Sequence, residues 1–338
     1  MRQSENSTIE EITLNEIEDG DRHTRAPWWA WVLLAAAVVA VSSAATAFRS
    51  MEEVPPLTLA AWRLQLTAML LFPGAVIQYR KLAPALQVEA LQSGLLMLAS
   101  GLSLAFHFAL WVWGIDHTSL THALLYVSIT PILITTGMWV MNKPLSRGEN
   151  IGTGIGAFGG LSLAFSGVKE GEVTLVGDLA CVIASVAVIA YLSIGRHLRA
   201  WMPLFVYAFP VTGSAAGFLT VSAVSFGGAS VTSPGATGVA GWIMSKYLVG
   251  VVYLAVIPGI LGHTSFNALL KYLHPLAIAL PLTLEPVIGS IIGYLVGVTS
   301  PPHMLTYVGG AVLLAAVVLV TVSGYQRERK EREGISNI

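Results

Sequence analysis

Long apolar stretches separated by short polar breaks run from Trp28 to Gly324, at about 28–48, 57–77, 91–114, 119–141, 150–168, 174–195, 203–226, 247–272, 275–298 and 303–324. Each is near the length of about 20 residues that crosses a bilayer as a helix. Strands of a membrane barrel are shorter, and backbone groups in hydrocarbon must bond within their own segment, so the pattern predicts ten transmembrane helices. Polar punctuation supports the cuts: Glu52-Glu53-Val54-Pro55-Pro56, Arg80-Lys81, Asn142-Lys143-Pro144, Lys169-Glu170-Gly171-Glu172 and Ser300-Pro301-Pro302. Trp28, Trp29 and Trp31 suit a membrane interface.

Composition narrows the class. Of 338 residues, 54% are hydrophobic and 11% charged, against about 25% charged in a soluble chain. That excludes a soluble enzyme, a nucleic-acid binder and a disordered protein. The single Cys181 excludes an intrachain disulfide framework. Residues 1–26 carry seven acidic residues and no apolar run, which reads as an acidic disordered tail; residues 325–338 form a second charged tail.

Loop charge predicts orientation. Ten spans put 14 of the 18 Lys and Arg on the side of the two tails and three (Arg49, Lys169 and Lys246) on the other, with Arg63 inside a span. The positive-inside rule therefore places both tails in the cytoplasm. The count suits a plasma membrane, Golgi membrane or plastid envelope, with the plasma membrane favoured.

Two stretches resemble one another. Trp111 to Pro131 reads WVWGIDHTSLTHALLYVSITP, and Phe266 to Pro286 reads FNALLKYLHPLAIALPLTLEP. Each is a span end, a short turn and a span with a mid-helix proline. An apolar half-helix, a polar break and a Gly-rich span follow in both. Five spans lie in each half, so the second copy enters the membrane from the opposite side. Such inverted repeats build many secondary transporters, with the substrate near midplane between the halves.

The chain resembles the EamA family of the drug/metabolite transporter superfamily. The residues that carry the likeness are Arg63 within PPLTLAAWRL, the stretch FALWVWGIDHTSLTHALLYVSITPIL, and NALLKYLHPLAIALPLTLEPVIGSIIGYLVG followed by YVGGAVLLAA. It covers about residues 28–324. The resemblance implies an all-α membrane protein of two inverted five-helix repeats, 28–168 and 174–324. It further implies movement of small polar metabolites by alternating access. The family usually has Gly-Glu just after spans 4 and 9, where this chain reads Asn142-Lys143-Pro144 and Gly297-Val298-Thr299.

Polar residues inside spans are the candidate substrate site. Arg63 either snorkels outward, pairing with Glu52 or Glu53, or faces a cavity beside an anionic group. Glu285 precedes Pro286 at the centre of span 9. Burial there disfavours its charge, which makes it a candidate for proton coupling or substrate contact; the alternative is a permanently neutral group bonded to Thr283 or a backbone carbonyl. Pro131 and Pro286 are expected helix kinks. His107 with Trp111, and His122 with Tyr126, are i,i+4 pairs able to line a polar, aromatic pocket or simply to bond between helices. His263 and Asn267 share a face of span 8 and are cavity candidates, whereas Lys271 suits the headgroups. Gly152/Gly156/Gly160, Gly213/Gly217 and Gly289/Gly293/Gly297 recur every four residues, as close helix packing requires.

The histidines lack the spacing of a metal site, and no cofactor motif occurs. The leading expectation is a secondary transporter, not an enzyme. Its substrate would be a small polar metabolite such as an amino acid or another zwitterion or anion. The bilayer, a proton or counter-substrate and a homodimer partner complete the expected interactions. The alternatives are a membrane-embedded enzyme, or a channel or scaffold. Polar groups converging from both halves would favour the transporter; an acid/base or nucleophile pair on neighbouring spans would favour the enzyme.

Overall fold

The computed structural model describes residues 27–164, 173–269, 272–273, 278, 281–302 and 304–332. The tail at 1–26 lies outside them. Among the described residues every regular element is helical, and pairing between extended segments is limited to an isolated bridge from Ser230 to Gly238. In chain order the helices are α1 Trp28–Ser42, α2 Ala44–Arg49, α3 Pro56–Arg80, α4 Pro84–Gln92, α5 Gly94–His117, α6 Leu120–Val127, α7 Thr130–Val140, α8 Arg147–Ala164, α9 Leu175–Arg199, α10 Leu204–Phe226, α11 Ser245–Leu254, α12 Ala255–Thr264, α13 Ser265–Leu269, α14 Glu285–Leu295 and α15 Met304–Arg332. Seven spans among the described residues are long and apolar enough to cross a membrane, and α6 with α7 makes an eighth bent by 45°. The chain is thus an integral, multi-pass membrane protein. Large apolar side chains such as Leu95, Phe106, Leu175 and Val249 stand exposed. Lipid, rather than water, makes that arrangement favourable.

Proline and glycine chemistry sets the ends. Pro56, Pro84, Pro131 and Pro286 occupy first-turn positions, where a missing N–H costs nothing. The bend between α6 and α7 falls at Ser128–Ile129, just ahead of Pro131. Helix α7 ends at Asn142 (φ 52°), with Lys143 N–H donating to Met138 O at 2.8 Å. Helix α14 ends at Gly297 (φ 77°), with Val298 N–H donating to Gly293 O at 2.9 Å. Both are left-handed caps, which suit Gly or Asn. Asn142 follows Pro131 by the same interval as Gly297 follows Pro286. In α12 the backbone widens to i→i+5 bonding around Pro258, which lacks the N–H that regular α-helix would use. The final helix runs on through the charged segment to Arg332, since Glu, Lys and Arg are good helix formers.

The main packing pairs are α3 with α10, α5 with α9, α8 with α15, α5 with α10, and α1 with α12; α9 also meets α6 and α7, and α14 meets α1. Small residues permit the close approaches. A Cβ on Gly114 would stand 2.5 Å from Cys181 Sγ, and one on Gly152 would stand 3.2 Å from Val320 N. Gly289 lies under the Ser42 carbonyl, where a Cβ would come within 2.8 Å. The glycine pattern is not uniform in purpose: a Cβ on Gly217 would meet nothing within 4 Å, and Gly297 serves the turn.

The bundle has two ends. At one, Arg49 donates to Ile115 O (2.5 Å) and Thr118 O (2.6 Å), and Lys246 pairs with Glu53 at 2.6 Å. At the other, Phe205 N–H donates to Gln78 Oε1 at 2.7 Å and Arg327 Nε pairs with Glu149 at 3.1 Å.

Candidate functional site

A cavity of about 540 Å³ lies in the bundle core, with a largely apolar wall. It takes Arg63 from α3, His107 from α5, Tyr207 from α10, His263 from α12 and Glu285 from α14. Towards the Arg49 end it goes no further than Val41, Arg63, Phe108 and Glu285. Towards the Arg327 end it reaches Leu204, the first residue of α10. Above it, Phe48, Trp111, Ile115 and Leu120 are all 5% exposed or less and close the core.

Arg63 is the central feature. It is 1% exposed, and its Nε and Nη1 have no hydrogen-bond partner. Its guanidinium lies over the Phe108 ring at 4.6 Å and the Phe48 ring at 5.6 Å, contacts that hold a cation without consuming its N–H donors. Snorkelling to Glu52 or Glu53 does not occur: Glu53 is taken by Lys246, and Arg63 remains in the core. The charge opposite is Glu285, close enough for the two to act on one another electrostatically. A buried cation with open donors is expensive to keep unless something anionic uses it.

His107 is fixed by a 3.0 Å contact between Nδ1 and Ala184 O. A carbonyl only accepts, so Nδ1 carries the proton and Nε2 is left as acceptor. Its ring stacks against Trp111 with centroids 6.3 Å apart. His263 is exposed and lines the cavity. Thr67 and Thr130 add hydroxyls to the wall, although Thr67 already donates to Arg63 O at 2.7 Å and Thr130 to Val127 O at 3.2 Å.

Three candidates lie elsewhere. His122 is fully buried, with Nδ1 3.1 Å from Asp178 Oδ2; Thr118 donates to Oδ1 of the same carboxylate at 2.6 Å. That network joins the ends of α5, α6 and α9. Tyr126 donates its hydroxyl to Gly160 O at 2.8 Å, tying α6 to α8. Trp111 packs behind His107 and edge-on to Phe48, outside the cavity wall. The helical spacing that pairs these residues with one another is real, but their faces turn to neighbouring helices. The side chain of Asn267 lies outside the described residues. Pro131 lines the cavity and Pro286 is buried, each in the first turn of a helix that starts at mid-bundle.

Glu149 escaped the sequence reading. It is 1% exposed, in the first turn of α8. It accepts from Ser146 N–H at 2.7 Å while Ser146 Oγ accepts from Glu149 N–H at 3.2 Å, a capping box. The place where the family usually has Gly-Glu after span 4 remains the Asn142-Lys143-Pro144 turn; Glu149 lies further on, inside α8. The Ser-x-x-Glu spacing was the signal for it. Among the described residues no group of three or more His, Cys, Asp or Glu can hold a metal.

Residues 27–166 match the model of the EamA-like transporter family. The likeness read from the sequence is borne out over that stretch, and the matched family is one of transporters. A solved crystal structure of a protein is similar in fold over 88% of this chain and 98% of its own, with 16% identity and a TM-score of 0.57. No curated protein matches the chain.

Proposed function

We propose that the protein is a secondary transporter of the drug/metabolite type. In this reading 28–168 and 174–324 are inverted five-helix repeats, and both tails, 1–26 and 325–338, are cytoplasmic. A small metabolite bearing an anionic group, such as an amino acid or another zwitterion or anion, passes through the cavity at Arg63 by alternating access. The observation that carries the reading is Arg63 itself: a buried guanidinium in the wall of a cavity, with its Nε and Nη1 making no hydrogen bond.

The packing supports the repeat. Advancing every span by five exchanges the α5–α9 pair with the α12–α1 pair. It also exchanges the contacts of α6 and α7 with α9 for that of α14 with α1. The α3–α10 and α8–α15 pairs map onto themselves, and all of these contacts occur. Matching prolines and left-handed caps follow the same symmetry. Polar lining groups come from both halves, the arrangement expected of a transporter rather than of an enzyme's acid/base pair. Closure at the Arg49 end, with the lining reaching the Arg327 end, fits one conformer of an alternating pair and speaks against a channel.

The test is counterflow in liposomes containing the full chain, using labelled monocarboxylates, amino acids, phosphate esters and amines. One class is expected to accumulate, and Arg63→Gln to abolish its accumulation. Accumulation unaffected by Arg63→Gln, or none in any class from well-folded protein, would overturn the proposal.

A further inference from the structure

Among the described lining residues, Arg63 is the one strong base and Glu285 the one carboxylic acid. The remaining titratable groups of the wall are His107, Tyr191, Tyr207 and His263. On α6, beside the cavity, His122 turns to Asp178 and Tyr126 to Gly160. The empty cavity is therefore neutral only while Glu285 is ionised and balances Arg63. It does so across space, since Nε and Nη1 of Arg63 make no hydrogen bond.

Resting on the transporter reading, we infer that a monocarboxylate with an apolar body replaces Glu285 as the counter-charge of Arg63, and that Glu285 then takes up one proton, so that anion and proton move together. The ligand's carboxylate accepts from the Arg63 guanidinium, whose Nε and Nη1 make no other hydrogen bond. Glu285 then faces a second negative charge in a mostly apolar wall, where an uncompensated charge is costly. A proton from water bonds to its carboxylate oxygen, and the cavity stays neutral. A dianion would leave a charge uncompensated. An α-ammonium group would serve as a counter-charge that keeps Glu285 ionised, so a zwitterion would bind with no proton taken up. The Phe108 ring and aliphatic lining such as Leu64, Leu71 and Leu104 suit an apolar body, and the cavity, at about 540 Å³, has room for one.

The experiment counts protons. The full-length protein in detergent, weakly buffered with a pH indicator, is titrated with benzoate, phenylacetate and octanoate while tryptophan fluorescence reports binding. About one proton should be taken up per anion bound, and the apparent Kd should rise about tenfold per pH unit over the range where that uptake is complete. Glu285→Gln should take up none and bind without that pH dependence. The wild-type stoichiometry decides the matter even if that variant folds poorly. Four outcomes would overturn the inference: binding without proton uptake in the wild type, uptake that persists in Glu285→Gln, uptake lost in His107→Gln instead, or no binding by any of the three anions. Binding of L-phenylalanine with no proton, in preference to phenylacetate, would replace it with a zwitterion site. Because binding needs no flux, counterflow that carries another solute class would leave the transporter reading standing while this inference fell.

Discussion

Asp178 offers the sharpest test of how the Arg49 end is held together. Its carboxylate, 3% exposed, receives the Thr118 hydroxyl at 2.6 Å and faces His122 Nδ1 at 3.1 Å, and both partners are 1% exposed or less. Asp178→Ala would strand two buried donors. At about 1–3 kcal/mol for each unsatisfied group, the cost is about 2–6 kcal/mol. His122→Ala removes one donor and leaves Thr118 bonded, so it should cost less. The His122–Asp178 coupling in a double-mutant cycle should be about 1.5–3 kcal/mol, the range for a hydrogen bond to a charged group. The assay is reversible unfolding in mixed micelles, followed by tryptophan fluorescence, for wild type, His122→Ala, Asp178→Ala and the double variant. Strict additivity would refute the network. So would unchanged stability in His122→Ala accompanied by a raised KM for a transported solute, which would return His122 to the substrate site.

Other variants probe separate contacts. Gly114→Ala drives a Cβ to 2.5 Å from Cys181 Sγ; it should lower stability by about 1–3 kcal/mol, with partial recovery in Gly114→Ala/Cys181→Ala measured by the same unfolding assay. Glu149→Ala should destabilise more than Arg327→Gln, because Glu149 also accepts the Ser146 N–H; equal losses would mean that the capping bond contributes nothing. Trp62 Nε1 donates to Gly238 O at 3.0 Å and Val239 O at 3.1 Å. Trp62→Phe should therefore loosen the 227–244 connection, read as faster limited proteolysis there with the rest of the chain protected.

Much of this architecture is visible in the residue pattern because a bilayer imposes it. Apolar runs of spanning length leave helices as the only way to satisfy the backbone, and Pro56 falls in a polar break that starts one. Pro131 and Pro286 read as kinks within spans but stand in the first turns of new helices, and Gly297 reads as a packing glycine but caps α14. Local spacing also selects polar residues worth locating: the structure brings Arg63, His107, His263 and Glu285 to one cavity. Spacing fixes the face of a helix, however, and not which helix that face meets. His122 and Asp178 are 56 residues apart, and Glu149 and Arg327 are 178 apart. Nothing local in the chain announces either pair. Tyr126 is similar, since the acceptor it finds is a backbone carbonyl exposed by Gly160. The widened turns of α12 were hidden for another reason: Pro258 predicts a disturbance but not whether the helix kinks or opens.

The central claim is that the Arg63 cavity is open to each side of the membrane in turn. It is tested most directly by thiol labelling of Thr264→Cys in a Cys181→Ala background, in sealed liposomes of known orientation. Thr264 lines the cavity. The account predicts that a membrane-impermeant maleimide labels this position from the Arg327 side in the conformer described here. It predicts labelling from the Arg49 side in a second conformer, with a saturating transported solute shifting the balance between the two. Simultaneous, solute-independent labelling from both sides would mean a channel, and labelling from neither side would mean that the cavity is not a transport route.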